Sequence, residues 1–581
     1  MDTRSITIRI PASTSTKPPQ IALNAAAHAK GWESATNVSV GVEDFREQFP
    51  KAIRSRAGEL QVDLWASEGG TYEWFQGVGK THRLALYLGA PPRDAALLAG
   101  GPLIAFPSDP ATLAPTQALG RIGTAAEGRL PAIEASFAQH MADPVIAKIG
   151  QGFENYGDHS SNGYVKGTFL WDNNEYDLPA AAFVHYARTG DRAALKAALA
   201  AALHYADVDT IHYHATRADY QGGAWTHSHG TLGHHTAEPP GMSHAGYTQG
   251  LIWYTYLTGH PEGLEAARSI ADWCLRNIRP ERNVNAMERA LGHPLMSLTD
   301  VYEATGDQRY LRGAAKLVDW ALQWEHPDRG GHFNSITEKP AYYSGSPFCS
   351  GLLTAGLMKF NGWAQDPDVD AMLERTARWV LTDMWRPGGI FNKGGGTPSP
   401  GNISTHGPLL SAMYQKTRDP LFLAVPYELL LLAYGSGAKP FGTRSTGLVF
   451  NYVPSFLAML NAEGNPEPDL ALNIDTETIS VRPGYKTEIA FTVRNAGPDP
   501  ITNITSTFQP RLDFKVLKES PAPEILYPGQ LRRMVLDVEA PTDINLTHSL
   551  NRDSYAHWSI RFTRAGRPRF AHGFAKVQIV P

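Results

Sequence analysis

The chain is expected to be a multidomain α+β protein in three parts: an N-terminal antiparallel β-sandwich region over residues 1–125, a central (α/α) toroid over 126–465 and a C-terminal immunoglobulin-like β-sandwich over 466–581. Three observations point there. The hydrophobic period is close to two at both ends of the chain and close to 3.6 between them. A helix–turn–helix phrase recurs in the middle. The length, 581 residues, exceeds what one core usually holds.

In the first part, "RSITIRI", "NVSVGVEDF", "ELQVDLWAS" and "HRLALYLGA" alternate apolar and polar residues between turn formers, as antiparallel strands with one buried face do. "GAPPRD" and "FPSDPATLAP" then break the pattern. In the middle part, Leu195, Leu199 and Leu203 recur at helical spacing in "AALKAALAAALHYA". "ARTGDRAALKAA", "YLTGHPEGLEAA" and "EATGDQRYLRGAA" repeat one phrase, with a fainter copy in "QKTRDPLFLAV". Each is an apolar helix that stops at Thr-Gly, where glycine suits a left-handed cap, followed at once by a new helix. Stacked hairpins of this kind are expected to close into a toroid. Past "NAEGNPEPDL", which reads as a linker, alternation returns: Ile489, Phe491 and Val493, then Trp558, Ile560 and Phe562. That tail is expected to be a separable accessory module.

Composition narrows the function classes. A net charge of −5 leaves no basic face for nucleic acid or an anionic membrane, and no apolar run is long enough to span a bilayer. The two cysteines, Cys274 and Cys349, make no disulfide framework, and Cys274 shares a helical face with Leu264, Ala267 and Ile270. The opening "MDTRSITIRIPAST" has no apolar signal-peptide core. The expected location is secreted or periplasmic after loss of a leader, with a cytoplasmic location as the other reading.

Histidine is concentrated in one place. Gly222–Gly250 carries His227, His229, His234, His235 and His244, and the preceding "HYADVDTIHYH" adds His204, Asp207, Asp209, His212 and His214. A polar loop this long inside a compact domain is usually functional. Three readings compete. A metal site could use Asp209 and His212 with the histidine loop, zinc if nitrogen ligands dominate and calcium if oxygens do, at most one divalent cation. Proton transfer suits imidazole near neutrality. Packing against loop carbonyls needs no function at all. His234 and His235 cannot both face inward from an extended segment. A second polar cluster, "LWDNNEYDLPAA", holds Asp172, Asn173, Asn174, Glu175 and Asp177; part of it is helix capping. A third, "RPGGIFNKGGGTPSPGNISTHGP", holds Arg386, Lys393 and His406 and lacks phosphate-loop spacing.

Together with "DFREQFPKAI" and "LQVDLWASEGGTYEWFQGVGKTHRLALYLG", the segments "DNNEYDLPAAAFVHYARTGD", "HYADVDTIHYH", "HSHGTLGHH" and "SHAGYTQGLIWYTYLTG" resemble the exo-rhamnogalacturonan lyase-like polysaccharide lyases over roughly residues 30 to 440. The family's front β-domain is not represented, and the tail looks added, which puts the substrate in doubt. The resemblance implies β-elimination on a uronic-acid-containing polysaccharide or oligosaccharide: the carboxylate is neutralised, the C5 proton removed and the leaving oxygen protonated, with a positioned acid or base contributing about 10²–10⁴-fold. On that reading His227 or His229 transfers the proton with Tyr213 or Tyr247, and His212 and His244 line the same cleft. Asn173, Asn174, Glu175, Arg217, Trp225 and His406 are the candidates for substrate contacts. The alternatives are a toroid-type glycoside hydrolase, with two carboxylates about 5–9.5 Å apart drawn from Glu154, Asp158, Glu175 and Asp209, and a non-catalytic carbohydrate-binding protein.

Overall fold

In a computed structural model, residues 31–88, 106–279, 287–332, 347–391, 398–435, 442–463 and 467–581 are described, apart from short gaps at 36–37, 57–58, 67–68, 72, 108, 163–168, 228–233, 237, 245–246, 327, 477, 545 and 547–552. The first expected strand, "RSITIRI", lies outside these residues.

The N-terminal alternation forms antiparallel strands. β1 (Trp32–Ala35), β2 (Val38–Val42) and β5 (Leu84–Leu88) make one sheet, and β3 (Ala52–Arg56) and β4 (Glu59–Asp63) a hairpin. A short hairpin of β6 (Ser160–Asn162) and β7 (Phe169–Trp171) follows α1 (Pro131–His140).

The helical region is built from hairpins: α2 (Leu178–Thr189) with α3 (Arg192–His204), α4 (Gln249–Thr258) with α5 (Glu262–Asn277), α6 (Met287–Thr305) with α7 (Gln308–Trp324), and α8 (Pro347–Ala364) with α9 (Pro367–Trp379). α10 (Gly407–Thr417) pairs with α11 (Leu421–Tyr434), and α12 (Thr443–Phe450) leads into α13 (Val453–Glu463). Contacts run α2–α4–α6–α8–α10–α13–α12, and α12 packs back on α2, so the inner helices close a ring. Sequence explains who sits inside. In α2 every residue from Leu178 to Arg188 is buried, whereas α5 and α7 carry a buried stripe and a polar face. Cys274 lies on the buried stripe of α5 as a free thiol.

The recurring phrase sets one end of this ring. Gly190, Gly259 and Gly306 take left-handed φ values of 74°, 74° and 70° after the inner helices. The next Asp then caps the outer helix: Asp191 accepts from Ala193 N–H and Asp307 from Arg309 N–H, both at 2.9 Å. A further copy hides in "WAQDPDVD", where Gln365 takes the left-handed position (φ 52°) and Asp366 caps α9.

The C-terminal region is β-rich. One sheet runs Glu467–Pro468, Arg567–Ile579, Asp553–Arg564, Ile501–Gln509, Ile525–Leu526, and the other Leu472–Thr476, Lys486–Asn495, Leu531–Glu539, Lys515–Glu519. A shared core holds Ile489, Phe491, Val493, Trp558, Ile560 and Phe562. This region is docked rather than tethered. Phe570 belongs to the helical core and meets Tyr427 edge-on, Trp385 stacks on His557 at 4.3 Å, and His557 Nε2–H donates to the Thr382 carbonyl at 3.1 Å. Among the described residues no helix is long and apolar enough to cross a membrane.

Candidate active site

At the end opposite the short turns, the N-termini of the inner helices converge. Residues 172–177 lead into α2, and four of them, Asn173, Asn174, Tyr176 and Asp177, have positive φ (46°, 49°, 63°, 59°). Side chains rarely adopt this conformation, and such strain persists only where the surroundings over-determine it. Here they do. The Asp158 carboxylate accepts from the N–H groups of Asn173 (3.0 Å) and Asn174 (3.2 Å). Asp177 accepts from Ala180 N–H (3.1 Å) and Gly250 N–H (3.1 and 3.2 Å). Asn451 Nδ2 donates to the Tyr176 carbonyl at 2.9 Å, and Thr443 bonds Asp172.

This strap holds up Glu175. His227 Nδ1 lies 2.9 Å from its Oε2, His244 Nε2 3.6 Å from its Oε1, Arg444 Nη1 3.5 Å from Oε2 and Arg289 Nη1 3.9 Å from Oε1. Burial opposes ionisation of Glu175, but the hydrogen bond and charge of His227, then His244 and Arg444, outweigh it and hold the carboxyl at about 2. Its neighbours on the strap go the other way. Burial pushes Asp172 up to about 7 and Asp177 up to about 6, against the hydrogen bonds they accept. Glu175 is therefore the anion of the strap. Its side chain is 3% exposed, and His244, at 19%, is the more open member of the group. Tyr176, Tyr247 and His293 flank it and line a cavity of about 330 Å³. The Tyr247 hydroxyl is buried, which together with the Glu175 charge raises its pKa well above the usual value. A larger cavity, about 480 Å³, lies between the N-terminal strands and α3 and holds none of these groups.

Several expected site residues lie elsewhere. Tyr213 is 59% exposed, on a segment strapped to Gly77, and is away from Glu175. Arg217 is exposed in a bidentate pair with Asp219 and stacks on Tyr220. His212 turns its Nε2–H to the carbonyls of Ala206 and Asp207 (3.0 and 3.1 Å), so it is no partner for Asp209 in a metal site. His406 is fully buried and donates to the Pro347 carbonyl at 2.9 Å, pinning α10 to α8; burial lowers its pKa to about 4. Asn173 directs its amide to the Thr226 and His235 carbonyls (2.9 and 2.8 Å), and Asn174 Nδ2 lies 3.3 Å from Asp209 Oδ2; both are buried, so they hold loops rather than sugar hydroxyls. Trp225 is buried, with its backbone N–H on the Asp209 carbonyl. His229 lies outside the described residues. His227, His244, Tyr247 and Glu175 are brought together.

Arg289, Arg444 and His293 were missed. A signal existed: Arg289 and Arg444 sit in the first turns of α6 and α12, where the helix dipole disfavours a cation unless an anion faces it. Of the four carboxylates considered for hydrolysis, Asp158 and Asp209 have fully buried side chains, within a second group with His204 and His235. Among the described residues, two sets could hold a metal ion, Asp158/His204/Asp209/His235 and Glu175/His227/His244.

Comparison with known proteins overturns the lyase expectation. Residues 224–393 match the family model of the β-L-arabinofuranosidase GH127 catalytic domain. A non-reducing end β-L-arabinofuranosidase of Bifidobacterium longum subsp. longum is 35% identical over 75 residues, 13% of this chain and 11% of that protein. The chain thus matches about a tenth of the length of this curated relative. Solved structures with partial likeness include a GH127 β-arabinofuranosidase (11% identical, 76% of this chain and 81% of that one, TM-score 0.35) and a family 88 glycosyl hydrolase from Bacteroides vulgatus (11%, 58% and 100%, TM-score 0.41). A polysaccharide lyase is similar at 13% identity over 51% of this chain and 90% of that one, with a TM-score of 0.38. The ring itself rests on the helix contacts above, not on these likenesses.

Proposed function

We propose that this chain is a glycoside hydrolase acting on arabinofuranoside-containing glycans, with Glu175 as its central anion. The observation that carries this is the buried Glu175 carboxylate at the convergent helix N-termini, with His227 at 2.9 Å, Arg444 at 3.5 Å, His244 at 3.6 Å and Arg289 at 3.9 Å around it. Glycoside hydrolysis proceeds through an oxocarbenium-like transition state, which a fixed negative charge stabilises, while the leaving oxygen needs a proton. Glu175 supplies the charge. His244, the more exposed imidazole, is assigned the proton transfer, with His227 holding Glu175 in place. Against burial, His227, then His244 and Arg444, favour the ionised carboxylate, and Arg289 lies 3.9 Å from it while donating to the Tyr176 hydroxyl. The acid is read as an imidazole rather than a carboxylate: Asp172, which meets the same Arg444 as Glu175 at 3.5 Å, is occupied by Thr443 and Ser161. The match over residues 224–393 supports this reading, since it contains His227, His244 and Arg289. The unit boundaries 1–125, 126–465 and 466–581 are kept as part of the proposal, with the tail as an immunoglobulin-like accessory sandwich, and export as the setting.

The test is release of arabinose from aryl and oligosaccharide arabinofuranosides, read beside ultraviolet absorbance for unsaturated products on uronate glycans. Hydrolysis without a new double bond is expected. A folded wild-type protein inert on every arabinofuranoside of both anomers would overturn the reading.

A further inference from the structure

Directly beneath the strap lies a second group with no place in the proposed hydrolysis. Asp158, His204, Asp209 and His235 each offer one nitrogen or oxygen, all within 4.8 Å of one another, and all four residues are buried. They come from three places: the turn before β6, the end of α3 with its following turn, and the histidine loop.

Hydrogen bonding fixes which atoms face inward. His204 Nδ1 lies 3.1 Å from the Tyr156 carbonyl, an acceptor only, so Nδ1 carries the hydrogen and Nε2 the lone pair. His235 Nε2 faces Asn155 Oδ1 at 3.1 Å, and its Nδ1 lies 3.2 Å from Asp158 Oδ2 and 3.3 Å from Asn173 Oδ1, so Nδ1 is the ring atom turned into the group and would give up its hydrogen on binding an ion. Asp209 Oδ2 accepts from Asn174, leaving Oδ1 opposite His204 Nε2 at 3.3 Å. Among the described residues, that Nε2 and that Oδ1 have no hydrogen-bond partner, although they face each other. Unsatisfied polar atoms in so dry a place are costly, and two of them aimed at one point call for a cation between them.

We propose that Asp158, His204, Asp209 and His235 form a structural metal site for a zinc-class divalent ion. A tetrahedral ion with legs of about 2.0–2.1 Å sets its ligand atoms about 3.3 Å apart, the spacing of His204 Nε2 from Asp209 Oδ1 (3.3 Å) and of His235 Nδ1 from Asp158 Oδ2 (3.2 Å), and all four ligand atoms lie within 4.8 Å of one another. Two imidazoles and two carboxylates suit zinc better than calcium or magnesium, which take oxygen ligands in larger number. Each ligand has the outer hydrogen bond that such sites use for orientation: Tyr156 for His204, Asn155 for His235, Asn174 for Asp209, and the Asn173 and Asn174 N–H groups for Asp158. With four protein ligands and full burial, no position is open to substrate, which marks the site as structural. Its job follows from the same bonds. It locks Asp158 under the strained strap and ties the strap to the histidine loop, so it sets the height of Glu175 against His227. The inference does not depend on which glycan is cleaved.

The test uses the full chain, purified without a histidine tag from zinc-supplemented medium. Elemental analysis is expected to give one zinc per chain, and its removal by dipicolinate to lower the thermal midpoint reversibly. His204→Gln and Asp209→Asn should lose the metal, whereas His227→Ala should keep it. Should the first two variants fail to fold, cobalt exchanged into the wild-type protein decides: intense visible bands of a four-coordinate ion are expected. Folded wild-type protein well below one metal per chain, weak six-coordinate cobalt bands, full metal content in His204→Gln, or metal lost in His227→Ala would each overturn the assignment.

Discussion

The two ends of the helical ring are built from the same helices and behave differently. At one end, Thr-Gly-Asp turns join inner to outer helices in two or three residues, with caps and left-handed glycines in repeat. At the other, the connections are long, and the backbone at residues 173–177 is strained to present one carboxylate. The first end states a folding rule several times over. The second breaks local rules once, at the place where a charge is held under cover. Local rules fail first at functional sites, because there the surroundings rather than propensity decide the conformation.

The sharpest way to break this contrast is at Glu175. Glu175→Gln is expected to lower kcat by about 10²–10⁴-fold and to lower the thermal midpoint at neutral pH as well, since the charge held by His227 and Arg444 is lost. Its pH behaviour separates the charge from the shape. Because the folded carboxyl is depressed to about 2, the stability it contributes is present above the ordinary value of 4.5 and is lost only as pH falls through about 2. In His227→Ala the largest opposing influence to burial is gone, so the Glu175 pKa rises. The acid limb of kcat/KM should then move to higher pH than in wild type. An unmoved acid limb would show that His227 does not hold the charge.

A glycine-to-alanine change tests the strap without touching chemistry. Gly447 of α12 lies where a Cβ would overlap the Tyr176 carbonyl oxygen, so no side chain fits unless the strap moves. Gly447→Ala should cost about 1–3 kcal/mol of stability, as overpacking does, and reduce kcat as well. Retained kcat with lowered stability would mean that Glu175 tolerates displacement.

Much of the first end was legible in the sequence. Leu195, Leu199 and Leu203 announced α3, and the Thr-Gly phrase located the hairpins because each turn is a local, self-contained arrangement. The copy at Gln365-Asp366 escaped because glutamine there takes a glycine's conformation. The site was legible only as a density of histidines. Which of them point inward depends on distant acceptors: His406 is held by Pro347, and His212 by the turn it follows. Glu175 was named as a contact for substrate and, in the hydrolase alternative, as one of four candidate carboxylates. Its central place comes from Arg289 on α6, Arg444 on α12, and His227 and His244 on the loop before α4, all distant from it in sequence and held there by the fold. The lyase expectation failed because carboxylate, imidazole and tyrosine serve elimination and hydrolysis alike.

The tail tests whether the ring is self-sufficient. Read as a linker followed by a module, residues from about 468 onward are expected to be removable. The docked contacts of Phe570, His557 and Arg561 on Tyr427, Trp385 and Tyr414 say otherwise. Deleting 467–581 is expected to destabilise the ring by on the order of a few kcal/mol, from the apolar area uncovered, seen as a lower thermal midpoint of the remaining helices. An unchanged midpoint would return the tail to the status of an appendage.

The smallest expected effect belongs to the short-turn end, and it is the control for the rest. Asp307 caps α7 by accepting from Arg309 N–H at 2.9 Å, while its N–H reaches Thr305 Oγ1 at 3.2 Å. Asp307→Ala removes the side-chain cap and leaves the Arg309 N–H to water, since the turn is exposed. Losses of this kind amount to about 0.5–2 kcal/mol, and the exposed Arg309 pair adds little. The site lies at the other end of α6, so kcat and KM should stay at wild-type values while the denaturation midpoint falls slightly. If kcat falls with it, the two ends of the ring are mechanically coupled, and the division of labour between them does not hold.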